Sequence, residues 1–204
     1  MNSTFATRPL KGGHYLNCFF REDLYVLLSS LLVQPPGDDV LKHLADLSWE
    51  GDILPSLSSA LETLRKTAGC CRFDRIENEF ENLFIGMGRG EIVPYASWYA
   101  EKLVMGTPLV RLRSDLAKLG ISRRTDVCEP EDHAAAMFES MALITRSPKI
   151  SRPRQAVFFH RHIHPWMIRF FQDLQRAPSA CFYRSVGSLG ELFLQVENQH
   201  LQEK

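Results

Sequence analysis

The sequence predicts an all-α fold, and three observations carry that reading. Apolar residues recur at steps of three and four, as in Phe73, Ile76, Phe80, Leu83, Phe84 and Met87, which sets them along one helix face. No stretch of four or more residues alternates apolar and polar between hairpin turns, as strands require. Proline and glycine punctuate the periodic runs at short intervals, at Pro35-Pro36, Gly69, Gly86 to Gly90 and Gly120. The expected architecture is one compact bundle-like domain over residues 1–204, with roughly eight to ten helices.

Each element has a local reason. The first helix is expected from about Tyr15 to Val33, stopped by Pro35 and Pro36, because proline lacks an N–H and disfavours helix before it. Asp38 suits an N-cap for a second helix running to about Trp49. A third covers Asp52 to Ala68, with Gly69 as its stop. The fourth, on the Phe73 to Met87 face, closes at the flexible break Gly86-Met87-Gly88-Arg89-Gly90. A basic helix follows from Pro108 to Leu119, ending at Gly120.

Glu129-Pro130-Glu131-Asp132-His133 then leads a helix to about Thr145. Pro130 suits a first helical position, and Glu131 and Asp132 put negative charge where the helix dipole favours it. Asp132 could reach back to the Glu129 N–H as in a capping box, and Glu129 could pair with His133 across one turn. Capping and function remain alternative readings of these residues. The polar, basic, proline-bearing span from Thr145 to Arg154 is the expected flexible connection. Beyond it lie Gln155 to Arg176, broken or kinked at Pro165, and a last amphipathic helix from about Leu189.

Composition excludes several classes. The 204 residues carry 24 Lys and Arg against 24 Asp and Glu, so no net field draws the protein to nucleic acid or an anionic membrane. With 45% hydrophobic residues and a balanced charge it is not a disordered chain. Five cysteines without a C-x-x-C pair read as reduced cytosolic thiols. The greasy run Leu24 to Val33 is too short to span a bilayer and follows the acidic pair Glu22 and Asp23. A protein of the cytoplasm without membrane insertion is expected.

No credible catalytic constellation emerges. Three imidazoles, His160, His162 and His164, could complete a zinc site with one open position. On a helix, however, His162 points away from the other two. The glycines at 86, 88 and 90 follow a helix and lack the G-K-[ST] of a phosphate loop. What remains is a concentration of Phe80, Phe84, Pro94, Tyr95, Trp98 and Tyr99 beside a glycine-rich break. A groove of such rings, with acids nearby, suits an apolar peptide with a basic flank.

Three blocks resemble the TorD/DmsD/NarJ family of redox-enzyme maturation chaperones. Glu79-Phe80-x-x-Leu83-Phe84-Ile85-Gly86 with Pro94-Tyr95-Ala96-Ser97-x-Tyr99 is similar to the family's E-Y-x-x-L-F-x-G and P-[YW]-x-S-x-[YW]. Glu129-Pro130-Glu131-Asp132-His133 matches E-P-x-D-H, and His162-Ile163-x-Pro165-Trp166 with Phe170 resembles H-L-x-P-W and a later aromatic.

The resemblance covers about Tyr15 to Leu201. It implies a cytoplasmic, all-helical chaperone without catalytic activity, cofactor or metal. Such a protein binds the twin-arginine signal peptide of a molybdenum-cofactor enzyme, and sometimes its catalytic subunit, and holds it from export until the cofactor is inserted. Carried over, Phe80, Leu83, Phe84, Pro94, Tyr95, Ser97 and Tyr99 line or support the leader groove. Glu129, Pro130, Asp132 and His133 shape its polar side, and Trp98 joins by size and neighbourhood.

Some members swap helices between protomers, which makes the protein a monomer or a domain-swapped dimer, with residues 145–154 as the hinge. Guanine-nucleotide binding, proposed for the family, has no independent support in these residues. The run Pro108 to Gly120, with Arg154-Gln155 and Phe158-Phe159-x-x-His162, resembles members associated with formate dehydrogenases. Two other readings stand beside this one. One is an adaptor that binds only the mature catalytic subunit; the other is a zinc hydrolase built on His160, His162 and His164.

Overall fold

A computed structural model describes residues 10–11, 18–50, 53–124 and 127–202. Helices α1 (Cys18–Val33), α2 (Asp38–Ala45) and α3 (Pro55–Cys70) open the chain. Then come α4 (Phe73–Phe80), α5 (Ala96–Glu101), α6 (Thr107–Lys118) and α7 (Ala134–Arg146). Helices α8 (Arg152–Phe158), α9 (His164–Arg176) and α10 (Phe182–Gln202) complete it. The expected all-helical architecture holds, with one addition: β1 (Leu10–Lys11) pairs in parallel with β2 (Trp49–Glu50). Trp49 therefore sits in a short ladder instead of ending α2, which stops at Ala45.

The core forms where amphipathic faces meet. Leu24, Leu28 and Leu31 recur along one side of α1 and are fully buried, packing on α7, whose Ala134, Ala135 and Ala142 let the two backbones approach closely. Burying one such leucine contributes about 1.5–3 kcal/mol. Tyr25 is where three helices meet: its ring lies 4.8 Å from Phe193 of α10 and 5.6 Å from Phe138 of α7. Its hydroxyl donates to Glu197 Oε1 at 2.9 Å. Arg21 donates to the same carboxylate at 2.6 and 2.7 Å, and both charged side chains are buried.

Several helix boundaries differ from the sequence expectation. Pro55 opens α3, in keeping with proline at a first helical position, and the helix runs past Gly69 to Cys70. Helix α4 continues through a π-turn, Glu81–Ile85, and the chain leaves the helix at Gly86, so Met87 falls outside the expected face and is fully exposed. The glycine segment is hydrogen-bonded instead of an open break: Glu91 N–H reaches Asn82 O and Ile92 N–H reaches Leu83 O. Gly86 holds φ 59°, and a Cβ on Gly90 would meet Leu83 O at 2.4 Å, so neither position tolerates a side chain.

The break expected at Pro165 is a second π-turn, Phe159–Ile163, with Pro165 in the first turn of α9. Residues 147–151 join α7 to α8, and the buried Ile150 N–H bonds to Ser147 O. Helix α10 starts at Phe182 rather than at Leu189. Its start is set from afar: the Glu79 carboxylate accepts the N–H groups of Cys181, Phe182 and Tyr183 at 2.7–3.0 Å.

Candidate functional site

Two helix starts lie side by side at the centre of the site. Tyr95 and His133 are both extended and form an antiparallel bridge. Ala96 N–H donates to Asp132 O at 3.0 Å and Ala134 N–H to Pro94 O at 2.8 Å. Asp132 is fully buried, and its Oδ2 accepts the Ser97 N–H at 3.1 Å and the Ser97 hydroxyl at 2.5 Å. It thus caps α5, a helix whose own Tyr95 offers no side-chain cap. His133 caps α7, its Nδ1 accepting the Ala135 N–H at 3.2 Å.

This overturns the capping arrangement expected within residues 129–133. Helix α7 begins at Ala134, so Pro130 is not its first residue, and Asp132 serves a different helix. Glu129 does not pair with His133 across a helical turn; it accepts the Tyr95 hydroxyl at 2.5 Å. Burial, then that bond, pushes the Tyr95 phenol up. Burial pushes the His133 imidazole down. The Tyr95 and His133 rings meet edge to face at 5.1 Å.

The other faces of α5 carry Trp98 and Tyr99. Arg89 from the glycine segment and Lys102 lie over the Trp98 ring at 5.0 and 5.4 Å. The Tyr99 hydroxyl donates to Asp173 at 2.9 Å, and its ring lies 5.4 Å from Trp166. Past α5, Lys102 and Met105 both hold positive φ, and Leu103, Val104 and Met105 are exposed. Met105 N–H is tied to the Ser97 hydroxyl oxygen at 3.1 Å.

Beside α5 opens a cleft of about 690 Å³ against α6, α7 and the start of α9, bounded by Tyr99, Val110, Met137, Pro165 and Trp166. On its polar side Asp115 binds Lys118, Arg161 and His162 at 2.8, 2.9 and 2.9 Å. Bonds from Lys118, His162 and Arg161 hold the Asp115 carboxyl well below the usual range. Burial lowers His162, against the pull of Asp115. Trp166 is fixed by its indole N–H, which donates to His162 O at 2.9 Å.

The three sequence blocks therefore converge on α5: Tyr95 with His133, Ser97 with Asp132, and Tyr99 with Trp166. The family model described as nitrate reductase delta subunit matches residues 51–172, which hold all of these contacts. The chain belongs to that family. Its delta-subunit-family relatives include the chaperone protein TorD of Vibrio cholerae serotype O1, 28% identical over 90% of this chain and 92% of the relative. TorD of Aliivibrio fischeri is 24% identical over 89% of this chain and 94% of its own. A protein of Haemophilus influenzae named as the Tat proofreading chaperone DmsD is 28% identical over 80% and 82%. A solved chain from Archaeoglobus fulgidus, described as a redox enzyme maturation protein, shares the fold at TM-score 0.61 and 19% identity. That match covers 89% of this chain and 97% of the other.

In this delta-subunit-family protein the predicted residues fall into three groups. Phe80 and Leu83 are core, and Phe84 is half-buried against Phe80 and Tyr183, so this segment supports the site from behind. Pro94, Ser97, Asp132 and His133 are buried around the two helix starts, with Pro130 half-buried beside them. Tyr95, Trp98, Tyr99 and Glu129 keep accessible surface.

Sequence reasoning left out the cleft wall, namely Val110, Arg111, Asp115, Pro165 and Trp166. The signal was present in the His162-x-x-Pro165-Trp166 block, which carried the resemblance without entering the site. The histidine trio diverges: His160 Nε2 meets Asn198 Oδ1 and His162 Nε2 meets Asp115 Oδ2, both at 2.9 Å. Among the described residues no three His, Cys, Asp or Glu side chains are grouped to hold a metal. No described helix is long and apolar enough to cross a membrane.

Proposed function

We propose that this protein is a client-specific maturation chaperone of the cytoplasm. It holds the twin-arginine leader of a molybdenum-cofactor oxidoreductase, and its catalytic subunit, until the cofactor is inserted ahead of export. The observation that carries the reading is the convergence of the three blocks on α5, which presents the half-buried Trp98 and Tyr95 rings beside the exposed Glu129. A twin-arginine leader joins a basic stretch to a moderately apolar one. Its guanidinium groups suit the Glu129 carboxylate, and its apolar part suits Trp98 and the exposed Leu103, Val104 and Met105. Pro94, Ser97, Asp132 and His133 position these groups from beneath. Relatives of nearly equal length are chaperones by name, which supports a binding role over a catalytic one.

A formate dehydrogenase is the proposed client, on the resemblance of the Pro108 to Gly120 run. The chain works as one domain whose 145–154 connection can serve as the hinge of a helix-swapped dimer. Calorimetric titration with leader peptides from the host's molybdoenzymes, each paired with an arginine-to-alanine control, tests the reading. Selective binding of one leader, weakened by Glu129→Gln and Trp98→Ala, supports it. Absence of binding to every leader would favour an adaptor that contacts only the mature subunit.

A further inference from the structure

The cleft between α5, α6 and α9 is not accounted for by a basic leader. Its rim carries three cations, Arg111, Lys118 and Arg161, against one acid, Asp115. That acid is already engaged, by Lys118 at 2.8 Å and Arg161 at 2.9 Å. Arg111 is exposed and forms no ion pair among the described residues. In a chain with 24 basic and 24 acidic residues, this is a local excess of positive charge over an apolar floor. Like charge repels the leader's arginines from this place and selects carboxylates.

Val110, which lines the cleft, is 66% exposed, so apolar surface stands uncovered on its wall. The floor is preformed. Trp166 is only 5% exposed and is pinned to His162 O, so its face is closed to a stacking nucleobase. We infer that this cleft docks an apolar segment of the mature catalytic subunit that bears acidic side chains, apart from the leader's contact at Glu129 and Trp98. The inference rests on the maturation-chaperone reading and supplies the second of its two contacts.

The test uses the full chain and two synthetic amphipathic helices sharing one leucine and phenylalanine face, one with glutamate and one with lysine on the polar face. Fluorescence anisotropy should show the glutamate helix binding at least about tenfold more tightly, with loss at high salt. Arg111→Glu should weaken it about tenfold or more, and Arg111→Ala less, with circular dichroism unchanged and any leader titration unaffected. Equal binding of the two helices, preference for the lysine helix, no binding by either, or indifference to Arg111→Glu would each overturn the inference. Equally tight competition by single-stranded DNA would reassign the cleft to nucleic acid and overturn it too. Failure of the leader reading shows separately, as glutamate-helix binding without any leader titration.

Discussion

Asp132 holds Ser97 by two bonds at once, taking the backbone N–H at 3.1 Å and the hydroxyl at 2.5 Å. The Ser97 oxygen in turn accepts the Met105 N–H, so one buried acid fixes both the start of α5 and the loop that follows it. Among the described residues Asp132 Oδ1 has no hydrogen-bond partner, which leaves Ser97 as the main support of this side chain.

Ser97→Ala removes the hydroxyl and leaves the buried Asp132 carboxylate with only the backbone N–H at position 97. The expected loss is about 1–3 kcal/mol in urea unfolding. Faster exchange of the Met105 amide should accompany it, because its acceptor is gone. An unchanged Met105 exchange rate would show that the latch does not hold the loop.

Glu79 performs the same service for α10. Glu79→Ala deletes the acceptor of three N–H groups and is expected to cost about 1–3 kcal/mol. Glu79→Gln, which keeps one oxygen acceptor, should recover part of that loss. Chemical denaturation of the two variants side by side measures the difference.

The buried Arg21 and Glu197 pair should respond non-additively. Glu197→Ala takes away the carboxylate that receives two Arg21 bonds and the Tyr25 hydroxyl, at an expected cost of about 3–5 kcal/mol. The double variant Arg21→Met with Glu197→Leu should be less damaged than Glu197→Ala alone. A double-mutant cycle gives the coupling directly.

Stability should fall as pH drops from about 7 toward 5. His133, His162 and His164 have folded values pushed below 6.5, chiefly by burial. Each therefore binds fewer protons folded than unfolded, so its contribution is complete above about pH 6.5 and is lost as pH falls toward the folded value. Asp115 is depressed too, but its contribution is lost only at lower pH, below the ordinary carboxylate range. His133→Asn keeps a side-chain acceptor for the Ala135 N–H and removes one titration. Urea midpoints at the two pH values should then differ less than in the parent.

What the sequence determined by itself was the helical class and the core faces, because the spacing of residues such as Leu24, Leu28 and Leu31 is a local property that burial simply uses. It also held the three blocks that mark the family, including Asp132 and His133. Tertiary structure alone decided where α5 and α10 begin, since the groups that cap them come from other parts of the chain. Glu79 reaches Cys181 across 102 positions, and Asp132 reaches Ser97 across 35. No periodicity records such a partner. The α6 wall of the cleft was illegible for the same reason: Val110 and Arg111 read as ordinary surface of a basic helix. They become a wall only when Asp115 anchors α6 to His162, because a concave site is a relation between elements and not a property of any one of them.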